Sequence, residues 1–431
     1  MKKPMRILSS SFLSVFLMSA TVSISPAIHA AAPALSDSTE ITAVTKEKSA
    51  IVTFGDRILE SKIQTILGKV NEKITQDDLL KLTTLSAGYK ITSIKGLEFA
   101  TNLEDIHLPN SYISDISPLS GLKKLKMISL PDNNIIDISP LKGLTNLTNL
   151  NLERNMIKDL TPLAGLTSLT RLALNENNIS DISPLHALTN LEFLNVNDNY
   201  IEKLGDLVDL HKLYGLELHN NLVTDVSPLA SIRSLKSINI GYNQVTDISP
   251  LKELDLNAIQ INNTDISDLS VLRNMPSFNY LYWKDNPLTE QSLSFLEELK
   301  KREGADVYNY PHYASPKVFL NGQVQSLGTQ PRLDLFNGVT MMPLRELFEM
   351  FGAAVHWDNA TRTVTATSGE NKIVIPLGSK IAQINNRKVE METASVLFKE
   401  HTMIPLRFVT EAFGYDIQWN AKKRWIIIET D

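Results

Sequence analysis

Between Ser93 and about Thr289 the apolar positions recur every 22 residues, and nine copies of one phrase follow one another in register. The copy from Asp137 to Lys158 reads DISPLKGLTNLTNLNLERNMIK. In it Ile138, Leu141, Leu144, Leu147, Leu150, Leu152, Asn155 and Ile157 hold the fixed places. Copies start at Ser93, Asp115, Asp137, Asp159, Asp181, Lys203, Asp225, Asp247 and Asp268, and only the copy from Asp247 is one residue short. Within each copy the Leu-x-Leu stretch alternates. That pattern predicts a short strand with Leu150 and Leu152 inward and Asn149, Asn151 and Glu153 outward.

This period, with the inner pattern L-x-x-L-x-L-x-x-N, is the mark of a leucine-rich repeat solenoid, each copy adding one strand to a parallel sheet. The Asn closing each strand returns as Asn133, Asn155, Asn177, Asn199, Asn221, Asn243 and Asn286. Buried at the turn, its amide can satisfy backbone groups of its own and neighbouring coils. Ser111 and Thr264 stand at that place in two copies, so the ladder is expected to be weaker near both ends. The other half of most copies carries Ser-Pro-Leu or Thr-Pro-Leu. There the hydroxyl is expected to cap free N–H groups and the Pro to open a turn or a short 3₁₀ piece.

An open solenoid end exposes a bare apolar layer, and a different element must cover it. Apolar spacing predicts a helix over Asp56 to Leu67. A second, short helix is expected to start at Thr75, with Asp78 as its capping-box partner. At the far end, Thr289 to Arg302 reads as a cap helix with Thr289 as its N-cap, stopped by Gly304. The stretch LGKVNEKITQDDLLKLTTLSAGYKITSIKGLEFATNLEDI, Leu67 to Ile106, together with the DISPL copies, resembles the internalin-type leucine-rich repeat proteins of Gram-positive bacteria. The resemblance covers about Val52 to Asp306. It implies a secreted or surface-displayed binding module whose concave sheet grips a protein or a glycan.

From Lys317 the period changes. Thr340 to Gly352, TMMPLRELFEMFG, returns as Thr402 to Gly414, TMIPLRFVTEAFG, and each copy is followed by a Trp (Trp357, Trp419) and an Arg (Arg362, Arg424). Asn321-Gly322, Asn337-Gly338 and Asn385-Asn386 are hairpin-turn dipeptides. Each half is therefore expected to be a strand, a helix opened by Pro, and a Trp-bearing hairpin. This double unit resembles the bacterial stalk domain, also called the copper amine oxidase N-terminal-like domain. That resemblance implies an accessory module with neither copper nor quinone.

Net charge at neutral pH is −6, which gives no electrostatic case for nucleic acid or an anionic membrane surface. Cysteine is absent, which excludes disulfides, thiol chemistry and Cys-based metal sites. Lys2, Lys3 and Arg6, then the apolar run Phe12 to Ala20, then Ala27 to Ala32 have the order of a secretory signal cut after about Ala30. No other stretch approaches the roughly 18 apolar residues of a membrane span.

The outward strand positions form one face, about 40 Å long at a strand spacing of roughly 4.8 Å. Its candidate ligand-binding residues are Asn149, Asn151, Glu153, Arg171, Asn175, Phe193, Asn195, Asn197, Glu217, His219, Asn239, Gln260, Tyr280 and Tyr282. Amides in the middle and rings towards the C-terminal end suit hydrogen bonding and stacking to a protein loop or sugar chain. The plain alternative is a row of soluble strand residues. His107 and His219 lie about five coils apart, too far to share a metal ion. The Asp at the head of most copies reads as a turn residue bonding the backbone rather than a calcium row. Arg345 and Arg407 read as internal ties, and Trp357 and Trp419 as core anchors.

The organisation read from the chain is a signal peptide (1–30), a flexible leader (31–50), a helical N-terminal cap (51–92) and nine repeats (93–289). A cap helix and linker (290–313) follow, with a hinge at Ala314-Ser315-Pro316, and then the stalk domain (317–431). The fold class is α/β: a leucine-rich repeat solenoid with short parallel strands and helical caps, followed by a small α+β domain made of two similar halves. The expected function is that of a secreted or cell-envelope-associated binding protein, not an enzyme, with no cofactor and no metal. Its partner would be a protein or polysaccharide, and the stalk domain would serve for presentation or non-covalent wall attachment. A structural envelope protein without a soluble ligand, or an accessory subunit of an extracellular enzyme, is the alternative.

Overall fold

The computed structural model describes residues 49–431 except 206, 303, 309–315, 328–331, 334–338, 370, 399–400, 421–422 and 431. The signal and most of the leader, residues 314 and 315 of the expected hinge, and Asn337-Gly338 therefore lie outside the described residues.

Two helices open the solenoid. Helix α1 (Arg57–Ile66) starts where the Asp56 carboxylate accepts from the N–H groups of Ile58 and Leu59. Helix α2 (Gln76–Leu79) starts at a capping box in which Thr75 and Asp78 bond each other's backbone N–H. Leu59 and Ile63 of α1 and Leu79 of α2 are buried against the first coil.

Eleven parallel strands then stack in chain order. They are β1 (Thr84–Ser86), β2 (Asp105–His107), β3 (Met127–Ser129), β4 (Asn149–Asn151), β5 (Arg171–Ala173), β6 (Phe193–Asn195), β7 (Gly215–Glu217), β8 (Ser237–Asn239), β9 (Ala258–Gln260), β10 (Tyr280–Tyr282) and β11 (Asp306–Tyr308). The periodicity accounts for nine of them. β1 precedes the first full copy, and β11 follows helix α3 (Glu290–Leu299), so both cap regions extend the sheet. Thr289 caps α3 through the N–H of Ser292.

Six coils are closed the same way. Asn155 accepts from the N–H of Ile135 in the preceding coil and donates to Leu130 O there and to Leu152 O in its own. Asn133, Asn177, Asn199, Asn221 and Asn243 repeat this pattern. Where Ser111 replaces the Asn, its hydroxyl reaches, among the described residues, only Pro109 O in its own coil.

The residue before each of these Asn is left-handed in every coil from Asn110 to Asp285. Arg154, Glu176 and Tyr242 hold it at φ of 53°, 54° and 54°, although that region favours Asn, Asp or Gly.

The Ser-Pro turn differs from expectation in one respect. The 3₁₀ segments begin at the Ser or Thr itself, and its hydroxyl caps nothing. The cap is the Asp two residues earlier. Asp137 Oδ1 accepts from Ser139 N at 2.8 Å, while Oδ2 accepts from the Ser139 hydroxyl. Asp159, Asp181, Asp225, Asp247 and Asp268 repeat both bonds. Both carboxylate oxygens are thus committed to the turn, as the turn-residue reading requires.

The tail domain has its own core. It comprises β12 (Lys317–Leu320), β13 (Gln323–Gln325), β14 (Arg332–Leu333), β15 (Thr340–Pro343), α4 (Leu344–Met350), β16 (Ala354–Asp358), β17 (Thr363–Ser368), β18 (Asn371–Pro376), β19 (Ile381–Ile384), β20 (Arg387–Glu390), β21 (Val396–Phe398), β22 (His401–Pro405), α5 (Leu406–Phe413), β23 (Asp416–Asn420) and β24 (Trp425–Glu429). The two halves meet where β15 pairs antiparallel with β22, Met342 opposite Ile404. Helices α4 and α5 follow Pro343 and Pro405 directly. Each hairpin then finds a different neighbour: β16 and β17 continue into β18 to β20, while β23 and β24 pair with β12 and β13.

Asn321-Gly322 and Asn385-Asn386 have positive φ at both positions, as a tight hairpin turn requires. Trp357 packs against this core, but Trp419 is 45% exposed with Arg424 over its ring and is not a core anchor. Arg407 ties α5 to Glu392. Among the described residues Arg345 reaches only Glu349 of its own helix.

Candidate functional site

Because register is kept from strand to strand, the outward side chains line up in columns. One runs Asn149, Arg171, Phe193, Gly215, Ser237, Ala258, Tyr280, and a second runs Asn151, Ala173, Asn195, Glu217, Asn239, Gln260, Tyr282. Past the strand ends a third follows the repeat: Glu153, Asn175, Asn197, His219, Gly241, Asn262. All fourteen candidate residues fall in these three columns.

Many of its amides are already engaged. Asn151, Asn195 and Asn239 are buried and turn their Oδ1 back onto the N–H two residues ahead. Asn197 accepts from His219 N at 2.6 Å and donates to Glu217 Oε2 at 3.3 Å, and Asn239 donates to the same oxygen at 2.9 Å. Desolvation raises the Glu217 carboxyl above the ordinary carboxylate value, against these two amide bonds. His219 is buried edge-on against Tyr242. The middle of the face is therefore a self-bonded network as much as a set of groups turned to solvent.

Asn149, Glu153, Arg171, Phe193, Gln260, Tyr280 and Tyr282 remain half-buried, presenting part of their surface. The Tyr280 and Tyr282 rings sit 5.7 Å apart. The Oδ1 of Asn175 and both amide atoms of Asn262 are buried without a partner among the described residues.

Two glycines that periodicity leaves unremarked shape this surface. A Cβ on Gly215 would stand 2.7 Å from Cδ2 of Phe193, and one on Gly241 would stand 2.7 Å from Oδ1 of Asn262. In both coils a neighbouring side chain lies across the place the glycine leaves open. The signal in the sequence is a Gly on the outward face of an otherwise regular copy.

At the N-terminal end, burial lowers His107, whose Nδ1 is 2.9 Å from the Ser129 hydroxyl. Along the strand-end edge, Arg154 lies between Glu176 at 2.7 Å, Asp132 at 3.4 Å and Glu153 at 3.5 Å. Burial raises the Glu176 carboxyl, which Arg154 counteracts.

A leucine-rich repeat family profile (two copies) matches residues 123–165, 167–209 and 212–253. The copper amine oxidase N-terminal domain profile matches 319–428. Among solved structures, internalin C2 from Listeria monocytogenes str. 4b F2365 is 32% identical, covering 55% of this chain and 99% of that one, with a TM-score of 0.44. An internalin (inlF) of the same strain is 29% identical, covering 60% of this chain and 96% of its own, with a TM-score of 0.45. By its repeats and these two profiles, the protein is a leucine-rich repeat protein, similar to the Listeria internalins, that carries a copper amine oxidase N-terminal domain after the repeats.

Proposed function

We propose that the concave strand face docks a protein partner, and that the chain acts as a secreted or envelope-associated binding protein rather than an enzyme. The observation that carries this reading is the mixed, part-accessible surface of Asn149, Glu153, Arg171, Phe193, Gln260, Tyr280 and Tyr282 on one continuous sheet. Aromatic rings and an Arg interleaved with amides are the composition that interface centres favour. A sheet fixed by the Asn ladder loses little conformational freedom on binding, so more of the contact energy appears as affinity. Among the described residues no helix is long and apolar enough to cross a membrane. In this reading the tail domain presents the solenoid or holds it non-covalently at the wall.

The test is binding of the full chain to arrays of surface-protein ectodomains and of glycans, repeated with Tyr280→Ala/Tyr282→Ala. A protein hit weakened about tenfold or more by the double variant, with the melting temperature nearly unchanged, supports the reading. Hits confined to glycans would move the ligand class. Protein hits indifferent to the two rings would remove this end of the face from the site.

A further inference from the structure

Beyond the strand ends, one place in every coil acts as an internal control: the residue after the ladder Asn. Asn134 and Met156 are half-buried there and Pro287 is exposed, yet Asn178, Tyr200 and Leu222 between them are buried. Something covers the rim of those middle coils. Lys317, the first residue of β12, is seated there: its Nζ donates to Asn220 O at 2.7 Å and stands 5.2 Å from the centre of the Tyr200 ring. Further along the same rim Lys423 lies 3.9 Å from Asp265.

We propose that the tail domain is a releasable cover on the solenoid, latched by Lys317, and that lifting it bares the strand-end rim bordering Asn197 and His219. A dedicated joint would be served by an apolar key. The Lys317 residue is 3% exposed, and its ammonium gains a backbone carbonyl and a ring face against the loss of its water, which favours a contact that can open. The charged groups around it are Asp198 on the solenoid, and Lys423 and Arg424 on the neighbouring turn, where Arg424 O accepts from Lys317 N. Burial pushes the Lys317 amine down to about 8, with Asp198 acting the other way. The closed joint therefore prefers the neutral amine. It tightens as pH rises from about 8 towards the ordinary lysine value, and it has no such gain below about 8.

The concave-face reading gives this latch its meaning, but the latch can be tested without any ligand. The chain has no cysteine, so single thiols report cleanly. In the full chain, Leu222→Cys should react with iodoacetamide about tenfold more slowly than Met156→Cys, as expected when access requires a local opening. Adding Lys317→Glu should remove most of that difference while leaving Met156→Cys unchanged. In the Lys317 background the ratio of the two rates should fall further between pH 8 and pH 10. Equal rates with Lys317 intact, or a ratio that Lys317→Glu leaves untouched in a protein still folded by circular dichroism, would overturn the latch. If Lys317→Glu does not fold, Lys317→Ala, which removes the donor to Asn220 O, and the pH series decide by the same criteria.

Discussion

The ring of Phe193 lies across the backbone of Gly215 in the next coil, so closely that a methyl group on Gly215 would meet Cδ2 at 2.7 Å. One strand thus supplies the surface of its neighbour. The only large apolar side chain in the middle of the outer column depends on a glycine 22 residues later.

Gly215→Ala should rotate Phe193 off the sheet at a cost of about 1 kcal/mol, because a ring edge yields more readily than backbone. Proton chemical shifts of the Phe193 ring and the melting curve check this. An unchanged ring environment would contradict the contact.

Removing a ladder amide should be far more damaging. Asn155→Ala leaves Ile135 N without its side-chain partner and takes one of two amide donors from Leu130 O and from Leu152 O, which keep Asn133 and Asn177, an expected loss of roughly 3 kcal/mol. Ser111→Ala removes one bond within its own coil and should cost about 1 kcal/mol. Chemical denaturation of the two variants side by side measures the contrast.

The N-terminal cap should carry much of the acid sensitivity. Burial disfavours the charge on Asp78, but bonds from Lys69, Thr75 and Lys81 hold its carboxyl far below the ordinary value. A depressed carboxylate contributes stability above its unfolded value near 4 and loses it as pH falls below that. Asp78→Asn should flatten this part of the stability curve and fray α2, which hydrogen exchange at residues 75–80 would register.

Glu217 has the opposite sign. Its raised carboxyl makes the folded chain favour the protonated form, so this group costs stability at neutral pH and the cost fades on acidification. Glu217→Gln should therefore be neutral or slightly stabilising at pH 7 and less so near pH 4. Urea midpoints at the two pH values test the difference.

Much of this architecture was legible because leucines at fixed spacing leave only one way to wind. The helix starts at Asp56, Thr75 and Thr289, the Asn ladder and the two halves of the tail domain are all local patterns. Ser-Pro reads as a helix start and so points to the Ser hydroxyl as the cap; the Asp two residues earlier is the better acceptor, and its carboxylate reaches both the N–H and the hydroxyl. The strands β1 and β11 lie outside the repeat and carry no full copy of its pattern. The residues lining the face were identifiable by alternation, but their mutual bonds were not. That Asn197 and Asn239 converge on Glu217 depends on side chains 20 and 22 residues apart meeting across coils. Lys317 gave no signal at all, since its partner Asn220 O is 97 residues away.

The concave-face reading is tested most directly by hydroxyl-radical footprinting of the full chain, alone and saturated with a partner found on the arrays. The account predicts that protection falls on Phe193, Tyr280 and Tyr282 and spares Ile136, an exposed residue outside the strands. Protection of Ile136 with the three rings unchanged would contradict it.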